Sequence, residues 1–342
     1  MTRERIISGK PISPEEDTFT WSLRPKTLKE YIGQNTVVKK LLISLEASGI
    51  RGEPQEHLLL HGPPGLGKTT LAYIVSREMG TRLVTTTGPT LSKIADLMGI
   101  MTNLDNRDVL FIDEIHRLPT AVEEFIYPAM EDFRVDFIVD KGPFSKVINV
   151  PLKRFTLIGA TTRVGLLSAP LRDRFGITYH LDFYSHDEMK EIVVRSAGML
   201  DIKIDKEGAD IIASSSRGTP RIANRLLRRA RDYAIVKADG NITGEVARKA
   251  FDLEGIDSLG LDDLDRILLK VIIDYYKGGP VGIEAVAATL SEEVNTLEEM
   301  VEPYLLKIGF LIRTKRGRMV SQEAYKHLGI PFTVSGQASL FA

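Results

Sequence analysis

The sequence predicts an α/β protein: a three-layer domain on a largely parallel sheet, then a helical domain, then a carboxyl-terminal winged helix. Three observations lead there. Between about residues 20 and 185, short β-rich apolar runs alternate with helical patterns, the order that builds a parallel sheet covered on both faces. One of those runs, HLLL, leads straight into GPPGLGKT, which fits G-x-x-x-x-G-K-[ST] without a mismatch. After residue 186 the strand signals give way to helices that end in a small β-ribbon.

Length and composition bound the reading. At 342 residues the chain exceeds one typical core and suggests two or three domains, since domains usually run to about 100–200 residues. The 45 Lys and Arg nearly balance the 46 Asp and Glu, so no global field draws the chain to nucleic acid or an acidic membrane surface. Any basic binding face must be local. There is no cysteine, which removes disulfides, thiolate nucleophiles and cysteine zinc sites. The first twenty residues hold no apolar run of signal-peptide length, and no later run approaches the roughly 20 residues that span a bilayer. A soluble, cytoplasmic protein is expected.

The elements follow in order. Residues 1–20 are polar and contain proline, a segment expected to be mobile. The large domain spans 21–185, with strands read at HLLLHG (57–62), RLVTTT (82–87), DVLFIDE (108–114) and FTLIGATT (155–162). Strand ends followed by glycine or acidic residues put the chemistry at the sheet's carboxyl edge. Within this domain, 133–150 reads as a β-hairpin around Lys141-Gly142-Pro143, because apolar and polar residues roughly alternate in each half. Residues 186–255 give helical patterns at SHDEMKEIVVRSAGML, KEGADIIASSS and PRIANRLLRRARDYAIVKA, with apolar residues at i, i+3 and i+4. From 256 to 336 come three helices and two short strands, GFLIRT and GRMVS, joined by Lys315-Arg316-Gly317.

The phosphate chemistry is written into 62–69. Gly62, Gly65 and Gly67 let backbone N–H groups converge on phosphate oxygens, and the following helix turns its positive end to the same anion. Lys68 suits the β- and γ-phosphates, Thr69 has the hydroxyl that Mg²⁺ needs, and Thr70 can reach the α-phosphate. ATP and Mg²⁺ are therefore the expected cofactors. About 45 residues on, an apolar strand runs into Asp113 and Glu114. Adjacent carboxylates point in different directions, so Asp113 suits the metal shell and Glu114 suits a general base on the attacking water. A third strand ends in Thr161, Thr162 and Arg163; a hydroxyl there can hold the lytic water or sense the γ-phosphate, with Thr162 favoured.

The carboxyl-terminal ribbon carries a different signal. Between Leu306 and Lys326 there are six basic residues and one acidic, in an otherwise neutral chain. Arg313, Lys315, Arg316 and Arg318 flank Gly317 at the ribbon tip. Phosphate contact there would be independent of DNA sequence and sensitive to salt.

GPPGLGKT, LFIDEIHR, GATTR, APLRDRFG and RGTPRIANR together resemble the AAA+ ATPases. With LRPKTLKEYIGQ ahead and GGPVGIEAVA and RGR behind, the chain from about 20 to 330 looks like the RuvB family among them, the bacterial Holliday-junction branch-migration motors. That resemblance implies an ATP-driven helicase that pulls duplex DNA through a junction in recombination and repair, working with RuvA and RuvC. It implies a homohexameric ring in which Arg174 is an arginine finger completing a neighbour's site, with Arg172 the competing candidate. It also implies a sensor role for Arg221, adenine-side contacts at Leu23, Arg24 and Tyr184, and nucleotide sensing by Glu131, Asp132 and Phe133. The hairpin is then the RuvA surface, with Phe137, Ile138 and Ile148 on it, and the DNA contacts are Arg313, Arg316 and Arg318. An alternative is an ATP switch of the initiator or clamp-loader kind, since AAA+ plus winged helix describes those proteins too.

Overall fold

The fold was analysed in a computed structural model that describes Ile6, Ile7 and residues 21–139 and 146–332. It divides into two compact units that part at Tyr184 and Ser185.

The first unit holds seven strands: β1 (Leu58–His61), β2 (Leu83–Thr87), β3 (Val109–Asp113), β4 (Arg134–Val139), β5 (Lys146–Pro151), β6 (Thr156–Thr161) and β7 (Ile177–His180). Five make one sheet in the order β2-β3-β6-β1-β7, with every pairing parallel. The four strands read from the sequence are all in it. β7, at the edge beside β1, is an addition. β6 is buried at all six positions and β3 at its first four, as expected for strands covered on both faces. Order and register bring His61, Asp113 and Thr161 to the carboxyl edge. β1 and β6 pair His61 with Thr161, and β3 ends two strands away at Asp113.

β4 and β5 stand apart as an antiparallel pair in the register Arg134↔Pro151 to Val139↔Lys146. Phe133 leads into the pair with φ 51°, a left-handed backbone conformation uncommon for a bulky residue. The base of the pair belongs to the core: Val135 is fully buried, and Phe133 and Val150 pack on the same cluster as Phe155 and Met130. Farther out Ile148 is 48% exposed. The turn at 140–145 and the side chains of Phe137 and Ile138 lie outside the described residues.

The second unit begins with helix His186–Met199, started by a capping box between Ser185 and Glu188. Helices Lys206–Ser215, Pro220–Lys237 and Gly244–Leu253 follow; the last was not read from the sequence. Then come helices Asp263–Tyr276 and Ile283–Leu290, and a short turn from Val294 that runs through a π-helical segment, Leu297–Val301, into helix Glu302–Lys307. β8 (Leu311–Thr314) and β9 (Gly317–Val320) make the wing, and Val281 adds a bridge to Arg318. Gly317 has φ 132°, and a Cβ there would run into the Val281 carbonyl, so the wing's return strand needs glycine at this point. The helical and winged parts are joined by buried contacts. Arg217 pairs with Asp265, which accepts the amide of the N-cap Asp262 in the capping box of helix Asp263–Tyr276, and the Arg217 Nε donates to the Gly260 carbonyl at 2.7 Å.

Candidate functional site

The glycine-rich turn leaves β1 and enters helix Lys68–Glu78 through Gly67, whose φ is 99°. A Cβ on Gly67 would come within 2.6 Å of the Tyr31 hydroxyl. That close approach has a function in the loop. Tyr31 and Tyr184 hydrogen-bond each other at 2.9 Å, and the Tyr184 hydroxyl donates to the Leu66 carbonyl at 3.2 Å. Two buried tyrosines thus hold the loop from behind, and burial pushes the Tyr31 hydroxyl pKa well above its usual range, so it stays a neutral donor. Tyr184, expected at the adenine side, packs against the loop together with Tyr31, which the sequence did not single out. Leu23 is buried, and the Arg24 guanidinium lies 4.3 Å from the Trp21 ring centroid.

Lys68 is buried and its Nζ donates to the carbonyls of Gly62 at 2.7 Å and Pro63 at 2.8 Å, which keeps its charge over the turn. Gly65 also takes a positive φ, 80°. Thr70 is buried one residue into the helix, beyond Thr69. The Thr69 hydroxyl lies 3.5 Å from Asp113 Oδ2, so residues 44 apart in sequence meet at one point. A hydroxyl and a carboxylate are hard oxygen donors of the kind Mg²⁺ takes beside phosphate oxygens.

Glu114 follows with φ 48°, left-handed again. Asp113 Oδ1 accepts the Glu114 amide at 2.8 Å. Arg117 holds the Glu114 carboxylate at 2.9 Å on a short 3-10 turn. Strain at a residue between an apolar strand and a polar cleft is common at active sites.

At the end of β6 the two threonines separate. Thr161 is 1% exposed and its hydroxyl contacts His116 Nδ1 at 2.9 Å while accepting the Arg163 amide at 2.9 Å. Thr162, the favoured residue, is half-buried just past the strand. Thr161 is thus tied into the scaffold, and His116, unread from the sequence, is its partner.

Arg174 and Arg172 also differ. Arg172 is exposed on helix Ala169–Asp173. Arg174 lies 4.3 Å over the Tyr127 ring and donates Nη1 to the Pro170 carbonyl at 2.8 Å. Its Nε approaches Glu131 Oε1 at 3.2 Å, close enough for an ion pair but not aligned for a hydrogen bond. Glu131 and Asp132 are exposed at the foot of the hairpin, where Asp132 pairs with Arg134 at 3.1 Å. Arg221 sits in the first turn of helix Pro220–Lys237 in the second unit, half-buried.

The wing places its basic residues unequally. Lys315 and Arg316 are exposed at the turn, where the Arg316 amide is held by the Thr314 hydroxyl at 3.2 Å. Arg313 and Arg318 share the carboxylate of Glu302: Arg313 Nη2 at 2.9 Å and Arg318 Nε at 3.0 Å. Arg318 reaches Glu298 as well, at 3.3 Å.

Comparison with known proteins agrees from residue 23 to residue 329. A family model for the P-loop domain of the Holliday junction DNA helicase RuvB matches residues 23–181, one for the RuvB AAA lid matches 184–257, and one for the RuvB winged helix matches 258–329. The chain belongs to the RuvB family. The RuvB subunit of the Holliday junction branch migration complex of Kosmotoga olearia is 54% identical over 96% of this chain and 95% of its own length. The solved RuvB branch migration motor of Thermotoga maritima superposes with TM-score 0.84 at 52% identity, covering 91% of this chain and all of that one. A point mutant of the same Thermotoga protein gives the same TM-score and identity. The family's three domains are those that the sequence suggested: α/β P-loop ATPase, helical lid and winged helix. Among the described residues no helix is long and apolar enough to cross a membrane.

Proposed function

We propose that this chain is an ATP-driven motor that moves duplex DNA to drive Holliday-junction branch migration, as RuvB proteins do. The observation that carries the proposal is the meeting of Lys68, Thr69, Asp113 and Glu114 at the carboxyl edge of a sheet whose domain, lid and wing all match this family.

Gly65 to Thr70 would cradle the ATP phosphates, with Lys68 suited to the β- and γ-phosphates. Thr69 and Asp113 would hold Mg²⁺, which would supply neutralisation of charge on the phosphate oxygens. Glu114 takes the proton of the attacking water, and Thr162 orients that water or senses the γ-phosphate. Leu23, Arg24 and Tyr184 bound the adenine side, and Arg221 reports from the lid. Arg174 serves a neighbouring subunit in a homohexameric ring, and Glu131, Asp132 and Phe133, at the foot of the hairpin, sense the nucleotide. The hairpin, through Phe137, Ile138 and Ile148, docks on RuvA, and RuvC joins in the resolving complex. Arg313, Arg316 and Arg318 touch the DNA backbone. The working place is the cytoplasm.

The test is strand separation of a synthetic four-way junction with ATP and RuvA, wild type against Glu114→Gln. Processing should require both RuvA and Glu114, with the variant slower by at least about a hundredfold, the usual worth of a positioned general base. Tight DNA binding without processing, unchanged in the variant, would refute the motor.

A further inference from the structure

Glu302 has no place in the reading so far, yet it is a buried carboxylate set against the wing. Its side chain is 1% exposed, at the start of helix Glu302–Lys307 and directly after the π-helical turn. Single π turns inside helices are frequent at functional sites. Both guanidiniums reach it through two nitrogens: Arg313 by Nε at 3.1 Å and Nη2 at 2.9 Å, Arg318 by Nε at 3.0 Å and Nη2 at 3.2 Å. Burial, the largest single effect, pushes the Glu302 carboxyl up, but the bonds and charges of Arg313 and Arg318 together bring it below its usual pKa.

Glu302 is enclosed while Arg313 remains 57% exposed, and such an ion pair adds little net stability, because desolvating the carboxylate offsets much of the attraction. Its consequence is geometric. With Nε and Nη2 of each arginine engaged, the edge bearing Nη1 is turned away from Glu302, and neither Nη1 makes a hydrogen bond among the described residues. A guanidinium fixed in this way meets a phosphate without losing side-chain freedom at that moment. The backbone at Arg318 is fixed too, by paired hydrogen bonds with Val281 at 2.7 and 3.0 Å.

We propose that Glu302 is a positioning residue for DNA-backbone binding, clamping Arg313 and Arg318 so that their free edges form one preset phosphate contact. The proposal rests on the wing arginines being the DNA contact. It makes a prediction opposite in sign to that of charge alone. Glu302→Gln makes the DNA-facing end more positive, so simple electrostatics calls for tighter binding. Positioning calls for weaker binding.

The experiment is fluorescence anisotropy of the full chain on random-sequence duplex over a salt series, with Mg²⁺ and a non-hydrolysable ATP analogue. Glu302→Gln is expected to weaken binding about tenfold, or ~1.4 kcal/mol. In an Arg313→Gln, Arg318→Gln background the same change should have no further effect, because the groups it positions are gone. Glu302→Asp keeps the charge but retracts the carboxylate, and should also weaken binding; it serves if the Gln variant does not fold. Tighter or unchanged binding in the folded single variants overturns the proposal, as does an undiminished loss in the double background, which would mark a merely structural role. The double variant alone should flatten the salt slope by about two. If it binds as wild type does, the DNA-face reading itself fails and takes the proposal with it.

Discussion

His57 shows how much one buried side chain fixes. Its Nδ1 accepts the Leu157 amide at 2.9 Å, so its Nε2 must carry the proton and donate to the Met130 carbonyl at 3.1 Å. Only the neutral ring does both. Burial lowers its pKa from 6.5, against a smaller opposing effect of the Met130 carbonyl. With the folded pKa below the unfolded one, the unfolded chain takes up the proton first as pH falls. The stabilisation is therefore complete above about pH 6.5 and is lost progressively below it, by up to about 1.4 kcal/mol per pH unit. The wild-type melting temperature should fall between pH 7 and 5 more steeply than that of His57→Gln, and equal slopes would refute the assignment. The ring also packs near Phe133 and Phe155, so the same change should loosen the hairpin base. Residues of this kind were not legible in the sequence. Lys68, Thr69 and Asp113 stand in contiguous motifs whose spacing carries the chemistry. His57 answers to Leu157, and Tyr31 to Leu66 and Tyr184, partners that only the folded chain brings near.

At the scale of elements, the hairpin divides into a buried foot and an exposed flank. Val135 is fully enclosed while Ile148 is 48% exposed, and an aspartate has opposite meanings at the two sites. Ile148→Asp should leave the melting temperature within about 0.5 kcal/mol equivalent of wild type, as surface changes do, while RuvA capture falls by tenfold or more. A titration of RuvA by calorimetry checks this, and wild-type affinity in the variant would remove Ile148 from the docking surface. The hairpin was legible because alternation and a Gly-Pro turn are local signals. β7 was not: it is a four-residue edge strand, ITYH, with no apolar run, placed only by its pairing to β1. The π turn before Glu302 was hidden for a related reason, since one extra residue per turn leaves the apolar pattern of a short helix nearly unchanged. Thus the fold and the phosphate loop could be read, but the clamp behind the wing could not. The clamp depends on Glu302 meeting two arginines from separate strands.

For the whole molecule, the open matter is where Arg174 works. In its own chain it rests against Tyr127, Pro170 and Glu131, and no residue of the phosphate loop is among these partners. The guanidinium, on a side chain 23% exposed, is kept in place by Tyr127, Pro170 and Glu131. No single chain displays a subunit count, so the arrangement has to be tested by complementation. If Arg174 is a finger in trans, Arg174→Ala would keep its own site but supply no finger, and Lys68→Ala would lack a working site but could supply one. Alone, each should lose ATPase by a large factor, about 10³ to 10⁵ for a missing finger. Mixed in equal amounts before assembly, a random closed ring places a competent site beside a competent finger at about a quarter of its interfaces. Steady-state ATPase on junction DNA should then return to up to about that fraction of wild type, and fall again when either variant is in excess. If mixing restores nothing although mass measurement shows mixed rings, Arg174 acts within its own chain and Arg172, exposed on the same helix, becomes the residue to test in trans.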